Sequence, residues 1–72
     1  MEQRKQPVEV PADVFDGLEF VRRSGATNML DRQLVERLAY EHGYYSTALW
    51  LAENKSRYEE GIFYGFRREV LE

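Results

Sequence analysis

The sequence predicts an all-α fold: a compact bundle of three to four short helices with an extended N-terminal arm. Three observations carry this. Apolar residues recur with a helical period in successive segments, glycine-bearing turn clusters separate those segments, and Pro7 and Pro11 break any helix before residue 12. With 72 residues the chain is read as one domain, an arm over 1–11 followed by a helical domain over 12–72.

Pro7-Val8-Glu9-Val10-Pro11 alternates apolar and charged side chains between two prolines, which excludes helix there. Two readings of the arm stand: a frayed tail, or an extended segment whose Val8 and Val10 lie across the helices or add to a partner's sheet edge. From Ala12 the pattern turns helical. Val14, Phe15, Leu18 and Val21 share a face, Asp13 and Asp16 suit the positive N-terminal end, and Gly25 ends the helix in a left-handed cap after Arg22-Arg23, giving a helix over 12–24.

Ser24-Gly25-Ala26-Thr27-Asn28 is a cluster of turn formers. The next helix carries Leu30, Leu34, Val35, Leu38 and Ala39, is capped by Asn28 or Asp31, and stops at Gly43. A third helix starts around Tyr44 to Ser46 and runs to Asn54, with Tyr45, Ala48, Leu49 and Ala52 on one face, Trp50 off it and Leu51 on the other flank. The uninterrupted run Ala48-Leu49-Trp50-Leu51-Ala52 gives this helix an uncharged girdle that one neighbour cannot cover. A fourth helix opens with Ser56-Arg57-Tyr58-Glu59, a match to a serine–glutamate capping box, and continues through Tyr58, Ile62 and Phe66 at four-residue intervals, with Gly61 and Gly65 as packing or kink residues. The expected core is Phe15, Leu18, Val21, Leu34, Leu38, Leu49, Ile62 and Phe66.

Composition narrows the function classes. Ten basic against thirteen acidic residues leave a net charge of −3, which repels phosphate backbones at long range and disfavours nucleic acid as a partner. Met1-Glu2-Gln3-Arg4-Lys5-Gln6 lacks the apolar core of a signal peptide and no apolar run is long enough to span a bilayer, so a soluble cytoplasmic protein with no membrane partner is expected. There is no cysteine to staple a small core, which makes homodimerisation through the third or fourth helix a natural supplement.

No residue set reads as a catalytic, cofactor-binding or metal centre, so no enzyme is expected. His42 is the only histidine and suits the negative end of a helix. Glu59-Glu60 point about 100° apart on a helix, and Gly61-x-x-x-Gly65 lacks the lysine of a phosphate loop. The offsets of Leu38-Ala39, Gly43, Leu49 and Ala52 match a helix-turn-helix. Its second helix would expose Ser46, Thr47, Trp50, Glu53 and Asn54, with no cation before Lys55, so a DNA-binding or transcription-accessory protein using Lys55, Arg57, Arg67 and Arg68 on phosphates is the alternative reading. Ten aromatic residues (one Trp, five Tyr, four Phe) are a rich supply for one small core. Trp50, Tyr44 and Tyr45 are therefore the expected protein-binding anchors, with Arg22 and Arg23 as orienting charges.

From about Leu18 to Phe66 the chain resembles a small helical family of bacteria and their phages known only as a domain of unknown function. The resemblance rests on Val21-Arg22-Arg23-Ser24-Gly25-Ala26-Thr27-Asn28-Met29-Leu30-Asp31, then Val35 with Leu38-Ala39, then Gly43-Tyr44-Tyr45, and finally Tyr58 and Gly65. Members usually have phenylalanine where Leu30 stands. The family brings no activity to carry over; it implies a mobile-element context and, by analogy with small phage proteins, a host-directed inhibitor or accessory role. The expectation is a small interaction module without enzymatic activity.

Overall fold

A computed structural model of the chain describes residues 6–70; residues 1–5 of the expected arm and Leu71-Glu72 of the expected helical domain lie outside the described residues. Four helices follow one another: α1 (Ala12–Ser24), α2 (Arg32–Glu41), α3 (Tyr45–Glu53) and α4 (Lys55–Tyr64). Two three-residue strands flank them, β1 (Val8–Val10) and β2 (Phe66–Arg68), paired in parallel with Val8 opposite Phe66 and Val10 opposite Arg68. The fold is mostly α, with a minimal sheet joining the two ends of the described chain.

The alternation of the arm is what the sheet uses. Successive strand residues point to opposite faces, so Val8 and Val10 enter the core while Glu9 faces out and pairs with Arg67 at 3.3 Å. Of the two readings of the arm, the one in which its valines lie across the helices is the structure found. Each buried valine contributes about 1.5–3 kcal/mol relative to exposure. On the far edge of β1 the Arg57 guanidinium donates to the Glu9 carbonyl at 3.3 Å.

The turns are built from side chains the sequence supplies. Gly25 sits at φ 66°, and the Ser24 hydroxyl donates to the Val21 carbonyl at 2.7 Å. Asn28 Oδ1 accepts from the Leu30 N–H at 2.9 Å, but the cap of α2 is Asp31, whose carboxylate accepts from the Leu34 N–H at 3.2 Å. At the other end of α2, Gly43 at φ 87° lets its N–H reach the Tyr40 carbonyl and the Tyr44 N–H reach that of Ala39, the paired bonds of a Schellman ending.

Three expectations need correction. Ser56 is not a cap: α4 begins at Lys55, two residues earlier than that cap would start it, its N-cap is Asn54, and no side chain closes that end. Phe66 is not the next turn of the fourth helix, because Gly65 at φ 93° ends α4 and Phe66 opens β2. Its ring returns over Gly61, where a Cβ would overlap it. The third correction concerns the core, which is Val8, Val10, Val14, Leu18, Val21, Val35, Ala39, Ala48, Leu51 and Tyr58, with Phe15, Leu38, Ile62 and Phe66 half-buried against it. Leu34 is also only half-buried, and Leu49 is 59 % exposed while Leu51 is 0 % exposed.

The phase of α3 explains that exchange. An all-round apolar helix has no hydrophobic stripe to orient it, so a polar contact does. Thr47, fully buried, shares its hydroxyl between the Asp13 and Val14 carbonyls of α1, each 3.3 Å away. It fits there because α1 has glycine at the contact, and a Cβ on Gly17 would overlap the Thr47 side chain. With Thr47 against α1, Ala48 and Leu51 face inward, and the stripe Tyr45, Leu49, Ala52 lies about 120° round the helix.

Tyr58 ties the fourth helix to the α1–α2 link. Its ring stacks on Phe66 at 5.6 Å and its hydroxyl donates to the Met29 carbonyl. Burial pushes this phenol up to about 12, partly offset by the Arg32 charge and reinforced by that of Asp31. A phenol ordinarily titrates near 10, so above that pH the unfolded chain gives up a proton that the folded chain retains. The contribution of Tyr58 is then full and independent of pH below 10 and is lost as pH rises toward 12, by about 2–3 kcal/mol in all. Urea titrations of Tyr58→Phe should show a loss of about 1 kcal/mol at pH 8, from the orphaned Met29 carbonyl, and a shallower alkaline decline than the parent. An alkaline decline equally steep in both would contradict this role.

Candidate interaction surface

The expected anchors do not form one patch. Tyr44, at the N-cap of α3, is half-buried, with its ring 5.1 Å from that of Phe20, which also meets His42 at 4.8 Å. Trp50 is half-buried edge-on to Phe66 at 6.3 Å, where it closes the core toward β2. Arg22 and Arg23 both turn to Glu19 on their own helix, and the Arg22 hydrogen bond, with both arginine charges, holds the Glu19 carboxyl below its usual range against the opposing effect of burial. The same bond raises the Arg22 guanidinium. Arg23 lines a groove with Tyr44 and Phe20, whereas Arg22 lines a different one with Met29, Leu30 and Ile62.

Of the expected anchors, Tyr45 alone stands well out, 62 % exposed. Its ring meets that of Tyr40, exposed to the same degree on α2, at 5.1 Å. These two tyrosines, with Leu49, Ala48 and Ala52, line an apolar groove along the outer face of α2 and α3. The helices run antiparallel there: Tyr40 meets Tyr45 at one end, and at the other Arg32 donates to the Leu51 carbonyl at 3.4 Å. Beyond Ala52 the groove continues between Arg32, Gln33, Glu36, Arg37 and Lys55, with Glu36 and Tyr40 bordering both stretches, so it passes from an apolar, aromatic stretch to one of mixed charge. Arg32 is paired with Glu36 and Arg37 with Glu41, while Lys55 makes no ion pair among the described residues.

Sequence reasoning placed Tyr45, Ala48, Leu49 and Ala52 on one face, with Tyr45 as an anchor and Leu49 in the core, and it did not single out Tyr40 or Lys55 as partners of that face. The available signal was Thr47, a polar residue in an apolar run whose hydroxyl has to find a partner. The helix-turn-helix packing is also corrected: Leu49 and Ala52 face solvent instead of closing on α2, and Ala48 and Leu51 take the inward positions.

With this geometry in hand, the chain matches a family model over residues 12–65, described as Domain of unknown function (DUF5049). The chain belongs to this family. The match spans the four helices and stops short of both strands. No curated protein and no solved structure matches the chain. No helix among the described residues is long and apolar enough to cross a membrane.

The two leucines of α3 have opposite roles in this geometry. Leu49→Glu should leave stability within about 0.5 kcal/mol of the parent, while Leu51→Ala should cost about 2–5 kcal/mol. Urea unfolding followed by circular dichroism measures both, and equal losses would place the wrong side of α3 in the core.

Proposed function

We propose that the chain is a small non-enzymatic protein-interaction module whose contact surface is the outer face of α2 and α3. The observation that carries this reading is the contiguous stripe of Tyr40, Tyr45, Leu49 and Ala52, with exposed large side chains at its centre. Isolated exposed apolar residues are ordinary on a soluble protein; a continuous patch with a charged rim is the composition of a contact site. Tyrosine supplies such sites with area and a hydroxyl at small entropic cost, and Arg37 and Lys55 provide a polar edge that orients an incoming surface.

The resemblance around Ser24-Gly25 and Asn28-Met29-x-Asp31 adds context to this reading: an accessory protein of a mobile element, working in the cytoplasm by occupying a host protein's surface. The DNA-binding alternative has less support. The net charge is −3, and the exposed residues of α3 are Tyr45, Ser46, Leu49, Ala52 and Glu53, with no cation among them to meet guanine or phosphate.

The test compares the full chain with Leu49→Glu as immobilised baits in extracts of the cell it comes from. A protein retained in stoichiometric amount by the parent and reduced at least about tenfold, roughly 1.4 kcal/mol, by the substitution is the expected result. Equal retention by both baits would remove the α2–α3 face as the contact surface.

A further inference from the structure

β2 is paired on one side only. The Val8 N–H donates to the Gly65 carbonyl at 2.9 Å and the Glu69 N–H to the Val10 carbonyl at 2.8 Å, so Gly65, Arg67 and Glu69 turn their main-chain groups toward β1. Strand residues alternate in this respect. Phe66 and Arg68 therefore turn theirs to the opposite side, where no strand lies among the described residues. Continued one step past Glu69, the alternation puts Val70 on that side as well. Residues 67–70 are exposed. The outer edge of β1 differs, because Arg57 of α4 already donates to the Glu9 carbonyl there. An open edge is a template for another strand, and the side chains that come to lie opposite one another decide which strand it accepts.

We infer that the β2 edge is filled by β2 of a second copy of this chain, antiparallel to the first across a two-fold axis at Arg68, giving one four-stranded sheet. The segment Phe66-Arg67-Arg68-Glu69-Val70 is complementary to itself when reversed. With Arg68 on the axis, Arg67 of each copy faces Glu69 of the other, and Phe66 faces Val70, as an isologous contact requires. Positions 67 and 69 fall between the hydrogen-bonded pairs, where opposed Cα atoms come within about 4.5 Å. Glu9 flanks Arg67 from β1 at 3.3 Å, so the second copy's Glu69 completes a row of carboxylate, guanidinium and carboxylate across the outer face. Phe66 shares the inner face with Val8 and Val10, and the pairing covers Val70, 74 % exposed in the single chain. Arg68 meets its own counterpart, but each is paired with Asp16 and lies over the Phe15 ring of its own α1 at 5.4 Å. The neighbouring antiparallel registers are worse. An axis at Arg67 or at Glu69 sets like charges opposite at the closest positions, and parallel pairing aligns like charges along the whole strand. This edge goes beyond the α2–α3 face, whose lining includes no residue of β2, and it lies outside the matched span 12–65.

Sedimentation equilibrium of the full chain from micromolar to millimolar concentration tests this, with circular dichroism confirming that each variant is folded. The parent should fit a monomer–dimer equilibrium. Val70→Pro removes an N–H that the single chain does not use in its ladder and should weaken the dimer at least tenfold, whereas Leu49→Glu, on the other surface, should leave it unchanged. The register is read by disulfide formation, since the chain has no cysteine of its own. In an equal mixture of Arg67→Cys and Glu69→Cys chains under mild oxidation, the mixed dimer should exceed either like-with-like dimer at least fivefold. A parent that stays monomeric at millimolar concentration, or a dimer indifferent to Val70→Pro, overturns the second copy on this edge. A dimer weakened by Val70→Pro but giving no excess of the mixed disulfide overturns the two-fold register at Arg68.

Discussion

The crossing of α1 over α3 at Gly17 and Thr47 sets the rotation of α3 about its own axis, and that rotation decides which side of an almost uncharged helix meets water. Thr47 is the only buried polar side chain among the described residues, and its hydroxyl is satisfied on α1 carbonyls. An unmet hydroxyl in a dry core costs about 1–3 kcal/mol, so any other rotation of α3 that kept Thr47 inside would forfeit that bond. Leu51 and Ala48 follow Thr47 inward as a consequence of helix geometry, and Tyr45, Leu49 and Ala52 follow outward. The exposed stripe is thus not left over from a poor core; it is the opposite side of a contact that is satisfied in detail.

The rest of the molecule is arranged to hold that contact. β1 and β2 bring the two ends of the described chain together, with Val8 and Val10 sealed beneath, a Glu9–Arg67 pair on the outer face and Arg68 paired with Asp16 of α1. Such exposed pairs add little individually, typically about 0–1 kcal/mol, so the valines and the ladder hydrogen bonds carry the strand. Tyr58 anchors α4 to the α1–α2 link through the Met29 carbonyl. The link itself is shaped by Ser24, Gly25, Asn28 and Asp31, each with a defined backbone task. Those residues therefore shape a turn.

Much of this was legible residue by residue. Periodicity and capping located α1 with its glycine stop and the Gly43 turn, and narrowed the start of α2 to Asn28 or Asp31, of which Asp31 is the cap, because each depends on interactions within a few residues. What failed depended on contacts distant in sequence. Leu49 and Leu51 are two apart in a girdle with no polar gap, so only Thr47 reaching a carbonyl on α1, more than thirty residues away, could separate them. Phe66 kept a four-residue spacing with Ile62 yet left the helix, since Gly65 ends α4 and β1 offers a strand to pair with. Ser56 fitted a capping box, but α4 gains two residues at its start and is entered from Asn54. The expected anchors Trp50 and Tyr44 were partly absorbed by Phe66 and Phe20, rings that composition alone could not place beside them.

Thiol accessibility reads the rotation of α3 most directly, because the chain has no cysteine of its own. Leu49→Cys and Leu51→Cys variants would be reacted with a soluble thiol reagent under native conditions, at a concentration where sedimentation finds single copies. The account predicts that the thiol at 49 reacts within about tenfold of an unfolded peptide and that the thiol at 51 is protected on the order of a hundredfold or more, opening only with the fold. Equal rates at the two positions, or protection at 49 with ready reaction at 51, would contradict it.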